Sequence, residues 1–488
     1  MTISKRKSII WIVGIISLGI ISLLLLFYST TIYAAGNTFY VAPYDPDITT
    51  EGDGSYDNPW RNLQDVINNK VESLVPAKFP YDGTGELIIK NEGAPVKAGD
   101  TIILKDGYHG QIKISRIFNE DYITIKSENK NHAVLSRLYL RGSSYWVFSG
   151  LTINREFEIP NDSGLIKLES HNWSGPVHHV TIEECKLHSF EDSSQWTADD
   201  WNTKASTGIH SLGNYITVIN NDLKNVAHGI IFNGNNSKAI NNVIENFSCD
   251  GMRGVGDDLL FENNLIKNCY GTGNGNHDDG FQSFQYQGDP SDRITLRGNI
   301  IIDHEDPNQP LKGELQGIGC FDGPFHGWII ENNVIIVDHW HGITMSGAYN
   351  SLIVNNTVIS PVGGRSAWIR ISNLKDNLGG NPSENVIVRN NITKRFSIGE
   401  GTIIFDHNLE ITEDDYEKIF INTSDSEDYD LHLKPGSIAI NTGSSELAPD
   451  IDIEGNQRPY GNVYDIGAYE YQGELDPPPA APTNLEIE

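Results

Sequence analysis

Short runs of β-branched residues recur along the middle of the chain, each closing on an Asn pair or a Gly-Asn: ITVINN, KAINN, LLFENN, ITLRGN, WIIENN, LIVNN and VIVRNN. The second Asn falls at 221, 242, 264, 299, 333, 356 and 391, giving spacings of 21, 22, 35, 34, 23 and 35. The short spacings define a unit of about 22 residues, and the long ones are that unit plus about 12 or 13 inserted residues. A second strand in each unit opens with Gly and an apolar residue: Gly208-Ile209, Gly229-Ile230, Gly251-Met252, Gly280-Phe281, Gly317-Ile318 and Gly342-Ile343. From Gly208, Gly229 and Gly251 to the next repeated Asn is 13 residues each time. A fixed register of this kind predicts stacked coils, each burying its apolar residues against its neighbours. The expected architecture is all-β: a right-handed parallel β-helix with three-sided coils, an N-terminal cap and a C-terminal cap. Residues Ile209, Ile230, Met252, Phe281, Ile318 and Ile343 are expected to stack inward. The Asn column is read as structural, since Asn tolerates left-handed turns and stacked amides bond from coil to coil.

The register also locates the insertions. The gap from repeated Asn to strand Gly is 8 or 9 residues in three coils but 16 (264 to 280) and 18 (299 to 317) in two neighbours. Extra residues at 270–276 and about 305–313 therefore lie on one edge, and a third excursion at 285–292 follows the strand at Gly280. Long loops clustered on a rigid solenoid are where such folds place their sites. Alternating strands fill 37–150 (DTIILKDG, DYITIKS, YWVFSGLTI), with a helix expected at 62–71. The chain is thus divided into a signal peptide or anchor (1–35), N-terminal cap and first coils (36–150), central β-helix with site loops (151–405), C-terminal coils and cap (406–472), and a Pro-rich tail or linker (473–488).

Composition narrows the function. Lys+Arg number 35 against 65 Asp+Glu, a net charge of −30, which would repel nucleic acid and anionic membranes. An anionic substrate remains possible where a local cationic pocket or bound metal reverses the field. Lys5, Arg6 and Lys7 precede an uncharged run from Ile9 to Phe27, followed by the small residues Ala34, Ala35 and Gly36. This reads as an export signal or an uncleaved anchor, and predicts a secreted or cell-surface protein, expected to act as a monomer with no other membrane contact. Four cysteines, Cys185, Cys249, Cys269 and Cys320, show no CxxC pairing and read as buried thiols, with a Cys249–Cys269 bridge left open.

Aligning the residues before each strand Gly stacks acids on adjacent coils: Asp250, then Asp278-Asp279, with Glu314 on the next coil and His277 alongside. Clustered carboxylates repel, and a hard cation such as Ca²⁺ would relieve this; alternatively, Asp250 and Asp279 cap turns. Two places past each Gly, alternation sends His210, Ile231, Arg253, Gln282, Gly319 and Thr344 outward. Lys312 sits in the inserted loop of the following coil, His228 lies one coil below Asp250, and Tyr286, Phe321 and Trp340 offer sugar-stacking faces. A carboxylate-neutralising group and a base together suit β-elimination from uronic-acid polymers, because the C5 proton leaves only when the adjacent carboxylate is neutralised.

At this point the chain resembles the pectate-lyase-like superfamily of right-handed β-helix polysaccharide enzymes over roughly 37–470. GDTIILKDGYHGQIKI and SSYWVFSGLTI are similar to the opening coils of alginate lyases and chondroitinase B-like proteins, and GNHDDGFQSF looks like the calcium-binding coil of the family nine pectate lyases. The resemblance implies Asp250, Asp278 and Asp279 as calcium ligands and Lys312 as base. The sequence lacks the second DDGWD-like coil of that family and the arginine-rich coil of the alginate lyases. The expectation is an exported, calcium-assisted lyase of acidic polysaccharide, with Lys312 as base, Arg253 as carboxylate clamp and His228 or His277 as substitute bases. Arg253, Gln282, Tyr286, Phe321 and Trp340 are expected to bind substrate, and Asp250, Asp278, Asp279 and Glu314 the metal. A C5-epimerase, a glycoside hydrolase and a non-catalytic glycan-binding solenoid are the alternatives.

Overall fold

A computed structural model describes residues 36–473 apart from 48–49, 158–163 and 425–428. The export segment expected at 1–35 and the tail beyond Gly473 lie outside the described residues. Among the described residues, no helix is long and apolar enough to cross a membrane.

The β-branched runs form a right-handed parallel β-helix. Each coil contributes three short strands. The Gly-led strands (Ile209–Ser211, Ile230–Phe232, Met252–Gly254, Asp279–Phe284, Gln316–Asp322, His341–Ser346) pair in parallel and make the first face. The runs closing on Asn make the second face, continuous with the first in one 26-stranded sheet, and a separate 12-stranded parallel sheet forms the third. The six residues expected inward are in register on successive rungs and at most 1% exposed. Glycine leads these strands because the turn from the third face is tight: a Cβ at Gly229 would fall 2.3 Å from the Gly251 carbonyl oxygen and 2.7 Å from Ile244 Cδ1.

The Asn pairs divide two tasks. The first member takes the left-handed turn, as at Asn220 (φ 57°), Asn241 (54°) and Asn332 (53°), with Gly298 (64°) substituting once. The second is buried and ladders. Asn221, Asn242, Asn264, Asn299, Asn333 and Asn356 each donate Nδ2–H to the Oδ1 of the next coil's Asn at 2.9–3.0 Å. The same Oδ1 atoms accept the preceding coil's backbone N–H. The ladder satisfies backbone groups that the turn removes from sheet pairing, which buried polar groups require.

The helix expected at 62–71 is α1 (Leu63–Asn69), with Asn62 capping it by accepting from Asp65 N–H at 3.0 Å. A second helix, α2 (Ala198–Lys204), interrupts the coil before Gly208; it is opened by a Thr197–Asp200 capping box, which the repeat arithmetic did not sample. At the C-terminal end, α3 (Glu413–Ile419) and the antiparallel pair Phe420–Asn422 and Asp430–Leu433 close the core. All four cysteines are free thiols; Cys249 is half-buried and the other three are buried.

Candidate active site

Four inserted segments line the edge from which the Gly-led strands start: α2, 270–278, 303–315 and 360–367. They are tied into a wall. Trp201 of α2 stacks on Tyr270 at 4.6 Å, and Asn274 Nδ2 donates to Asn202 Oδ1 at 3.4 Å. Gly271 N–H donates to the Leu311 carbonyl at 2.7 Å, so the backbone at Lys312 bridges to Tyr270. Arg365 pairs with Glu314 and lies 5.7 Å over the Trp340 ring. The wall stands beside the exposed side of the first face, and the two form a groove.

On the groove floor, Arg253 and Gln282 are neighbours on adjacent rungs, followed by Gly319 and Thr344. Arg253 grips the fully buried Asp250 with Nε at 2.9 Å and with Nη2, which leaves its Nη1 edge facing away from that carboxylate. The other Asp250 oxygen accepts Asp279 N–H at 3.2 Å. Asp279, also fully buried, accepts from Gln282 Nε2 at 2.9 Å, while its Oδ1 has no hydrogen-bond partner. That oxygen lies against Gly319, where a Cβ would stand 2.1 Å from it, so only glycine fits on that rung. Asp250 and Asp279 do sit at turns, but each carboxylate is also part of the floor.

Burial pushes both carboxyls up, Asp279 furthest, because Arg253 offsets the rise at Asp250 more strongly than Gln282 does at Asp279. Asp278, half-buried on the wall side, is pushed up to about 7 by burial and by the charge of Asp250, against the Asn276 hydrogen bond at 3.1 Å. His228 Nε2 stands 3.9 Å from Asp250 Oδ2; burial and the Arg253 charge lower it to about 4.

Further along, Phe321, His341, Thr344, Arg370 and Lys375 line a cavity of about 960 Å³. Phe321 packs edge-on against His341 at 4.9 Å, and His341 against Trp368 at 5.1 Å. Trp368 Nε1 lies 3.2 Å from both His341 Nδ1 and Thr344 Oγ1, and His341 Nδ1 stands 2.8 Å from Thr344 Oγ1, so the three side chains form one hydrogen-bonded cluster. Burial, then the charges of His339, Arg370 and His277, lower His341 to about 4.

Of the residues singled out from sequence, Asp250, Asp278, Asp279, Arg253, Gln282 and His228 come together. Phe321 and Trp340 border the groove; Trp340 is exposed and stacks 6.3 Å from Trp368. His277 and Lys312 are exposed on the wall. Glu314 does not join the acids: it is exposed and paired with Arg365, because its loop turns it outward past the wall. Tyr286 lies beyond the far end of strand Asp279–Phe284, roughly 20 Å from the acids at about 3.3 Å rise per residue. Among the described residues, no group of three or more His, Cys, Asp or Glu stands in an arrangement that holds a metal ion. The donor set does not fit calcium, since Arg253 and a backbone N–H occupy both oxygens of Asp250. Arg370 and Trp368 escaped the sequence reading because Trp368 itself stands where the other coils have Gly. The alternation in WIRIS was the available signal.

The family model for the right handed beta helix region matches residues 207–375. No curated protein matches the sequence. Among solved structures, the fold is similar to pectate lyase Pel9A (16% identity, 91% of this chain and 98% of that one, TM-score 0.44). It is also similar to a mannuronic acid specific family 6 polysaccharide lyase from human gut microbiota (16%, 66% and 78%, TM-score 0.45) and to XylC in complex with xylose (10%, 89% and 99%, TM-score 0.48).

Proposed function

We propose that the chain is a polysaccharide lyase that acts as a monomer outside the cytoplasm and cleaves a uronate-containing polymer by β-elimination. The observation that supports it most is Arg253, half-buried on the groove floor and held in place by buried Asp250, one rung from a carboxyl, Asp278, that titrates near neutrality. The open edge of Arg253 takes the carboxylate of the sugar, neutralising it so that negative charge can develop at C5. Lys312 on the wall removes the C5 proton; electrons form the C4–C5 double bond as the C4–O bond breaks. Asp278, protonated in part near pH 7, gives its proton to the departing oxygen. His341 and the aromatic rings of Phe321 and Trp368 orient the neighbouring sugar. Calcium is given no step here, since Arg253 and the Asp279 N–H already occupy both oxygens of Asp250.

Incubation with polygalacturonate, alginate and glycosaminoglycans, followed by ultraviolet absorbance of the unsaturated uronate, tests the proposal. Absorbance growing with one polymer is the expected result. New reducing ends without absorbance would mean a hydrolase, inverted C5 configuration by NMR an epimerase, and binding alone a non-catalytic solenoid; each overturns the lyase reading.

A further inference from the structure

The column that carries Arg253 runs on in register through Gln282, Gly319 and Thr344 to a second arginine, Arg370. The three residues between the arginines carry no charge. Gly319 has no side chain, Thr344 is buried with its hydroxyl 2.8 Å from His341 Nδ1, and Gln282 donates to Asp279. Arg370 is half-buried in the cavity of about 960 Å³, its guanidinium 5.6 Å over the Trp368 ring. From the next rung, the Arg395 guanidinium lies 5.7 Å from the same ring and adds a second positive charge to this end of the groove.

Three neighbouring cations have carboxylate partners: Arg253 has Asp250, Arg365 has Glu314, and Lys375 on the cavity rim has Asp322 at 2.7 Å. Among the described residues, Arg370 and Arg395 have no ion-pair partner, and no oxygen accepts a hydrogen bond from Arg370. The remaining acids on the cavity rim, Asp376 and Glu400, are exposed and pair with neither arginine. In a chain with 65 Asp+Glu against 35 Lys+Arg, counter-charge is not scarce, so its absence at Arg370 leaves this cation open to a ligand. Contact with the Trp368 ring holds the guanidinium without occupying its N–H groups, which stay free for a bidentate carboxylate. At about 4.8 Å per rung, the four rungs from Arg253 to Arg370 span about 19 Å. A small acid cannot bridge that distance. An acidic polymer lying along the helix axis can, resting one acid group on each arginine above an uncharged floor.

Resting on the lyase reading for the polymer's identity, we propose that Arg370 is a specificity-determining residue that binds a second carboxylate of the acidic polysaccharide, about 19 Å from the one held by Arg253. The two arginines together measure the ligand: a chain that carries acid groups at both ends of this span is preferred over a shorter one that reaches Arg253 alone.

The test is calorimetric titration of the full chain with size-fractionated oligogalacturonates and oligoalginates, which requires no turnover. Affinity steps up once the oligomers are long enough to reach from Arg253 to Arg370. In Arg370→Gln that step disappears, a loss of about ten- to a hundredfold for long oligomers, the usual worth of a hydrogen-bonded charge, while short oligomers bind as before. Arg370→Lys keeps the charge without the planar fork, recovers part of the step, and serves alone if the Gln variant does not fold. A step that survives in Arg370→Gln, or an equal loss for short and long oligomers, would overturn the proposal. Unsaturated product formed by a protein whose affinity is independent of oligomer length would overturn it too and leave the lyase reading standing. Length-dependent binding lost in Arg370→Gln, without any unsaturated product, would overturn the lyase reading and leave the second carboxylate site standing.

Discussion

Removing the Arg253 guanidinium while keeping its stem, as in Arg253→Met, strands the carboxylate of Asp250. Asp250 has no exposed surface, and in the native structure Arg253 supplies two of its contacts while the Asp279 N–H supplies a third. Breaking a buried ion pair from one side costs about 3–5 kcal/mol when the remaining charge stays buried. The cost has a pH signature. Burial already raises Asp250 above the ordinary carboxylate range, and loss of Arg253 raises it further. A group whose folded pKa is raised contributes its stability at low pH, and that contribution is lost as pH rises through the folded value. The destabilisation of Arg253→Met is therefore smaller at pH 5 than at pH 8, growing by at most about 1.4 kcal/mol for each pH unit between the native folded pKa and the new one and levelling off above the latter. Urea unfolding followed by circular dichroism at both pH values reads this directly. Adding Asp250→Asn to Arg253→Met removes the stranded charge and should recover at least about 2 kcal/mol at pH 8. A single-variant loss below about 1 kcal/mol at pH 8, or a loss equal at both pH values, would refute the view that Arg253 balances a buried charge.

Four further outcomes follow from the same structure. Asn299→Ala removes bonds to the Phe261 carbonyl and Asn333 and strands the Asn264 N–H and amide; at about 1 kcal/mol for each of four bonds, a loss of about 4 kcal/mol in urea unfolding is expected, against little change for a substitution at exposed Asn276. Lys312→Ala lowers turnover at least about a hundredfold with an unchanged melting temperature, and Asp278→Asn removes the decline in turnover as pH rises past about 7, both read from the pH–rate profile of unsaturated-product formation. Burial opposes protonation of His432, but hydrogen bonds to Glu454 (3.0 Å) and Asp430 (2.6 Å) outweigh it and raise its pKa. Its contribution is therefore full below the unfolded value of about 6.5 and lost as pH rises through the folded one, so His432→Gln flattens the fall of melting temperature above neutrality.

The coil register was legible because its causes are local. Glycine where two turns touch, Asn where a left-handed turn meets a buried ladder, and alternating β-branched residues all recur at fixed offsets, and each obeys a steric or hydrogen-bonding need that repeats with every coil. The floor of the groove was legible for the same reason: once Gly251 and Gly280 are in register, Arg253 must neighbour Gln282, as it does. Counting fails where a residue's neighbour is chosen by an inserted loop. Glu314 occupies a position counted from Gly317, but its partner Arg365 comes from another insertion, 51 residues on, and no offset predicts that pairing. Arg370 was missed because Trp368 heads its strand in place of Gly, so the marker was absent although the alternation was present. The metal expectation raises a different point. It treated the aligned acids as free ligands, but alignment on adjacent rungs also brings Arg253 beside Asp250, and a guanidinium already meets the electrostatic need for which a cation was invoked. Sequence repeats specify which side chains share a column. Which of them satisfy one another depends on reach and rotamer across rungs, as the pairing of Arg253 with Asp250 shows.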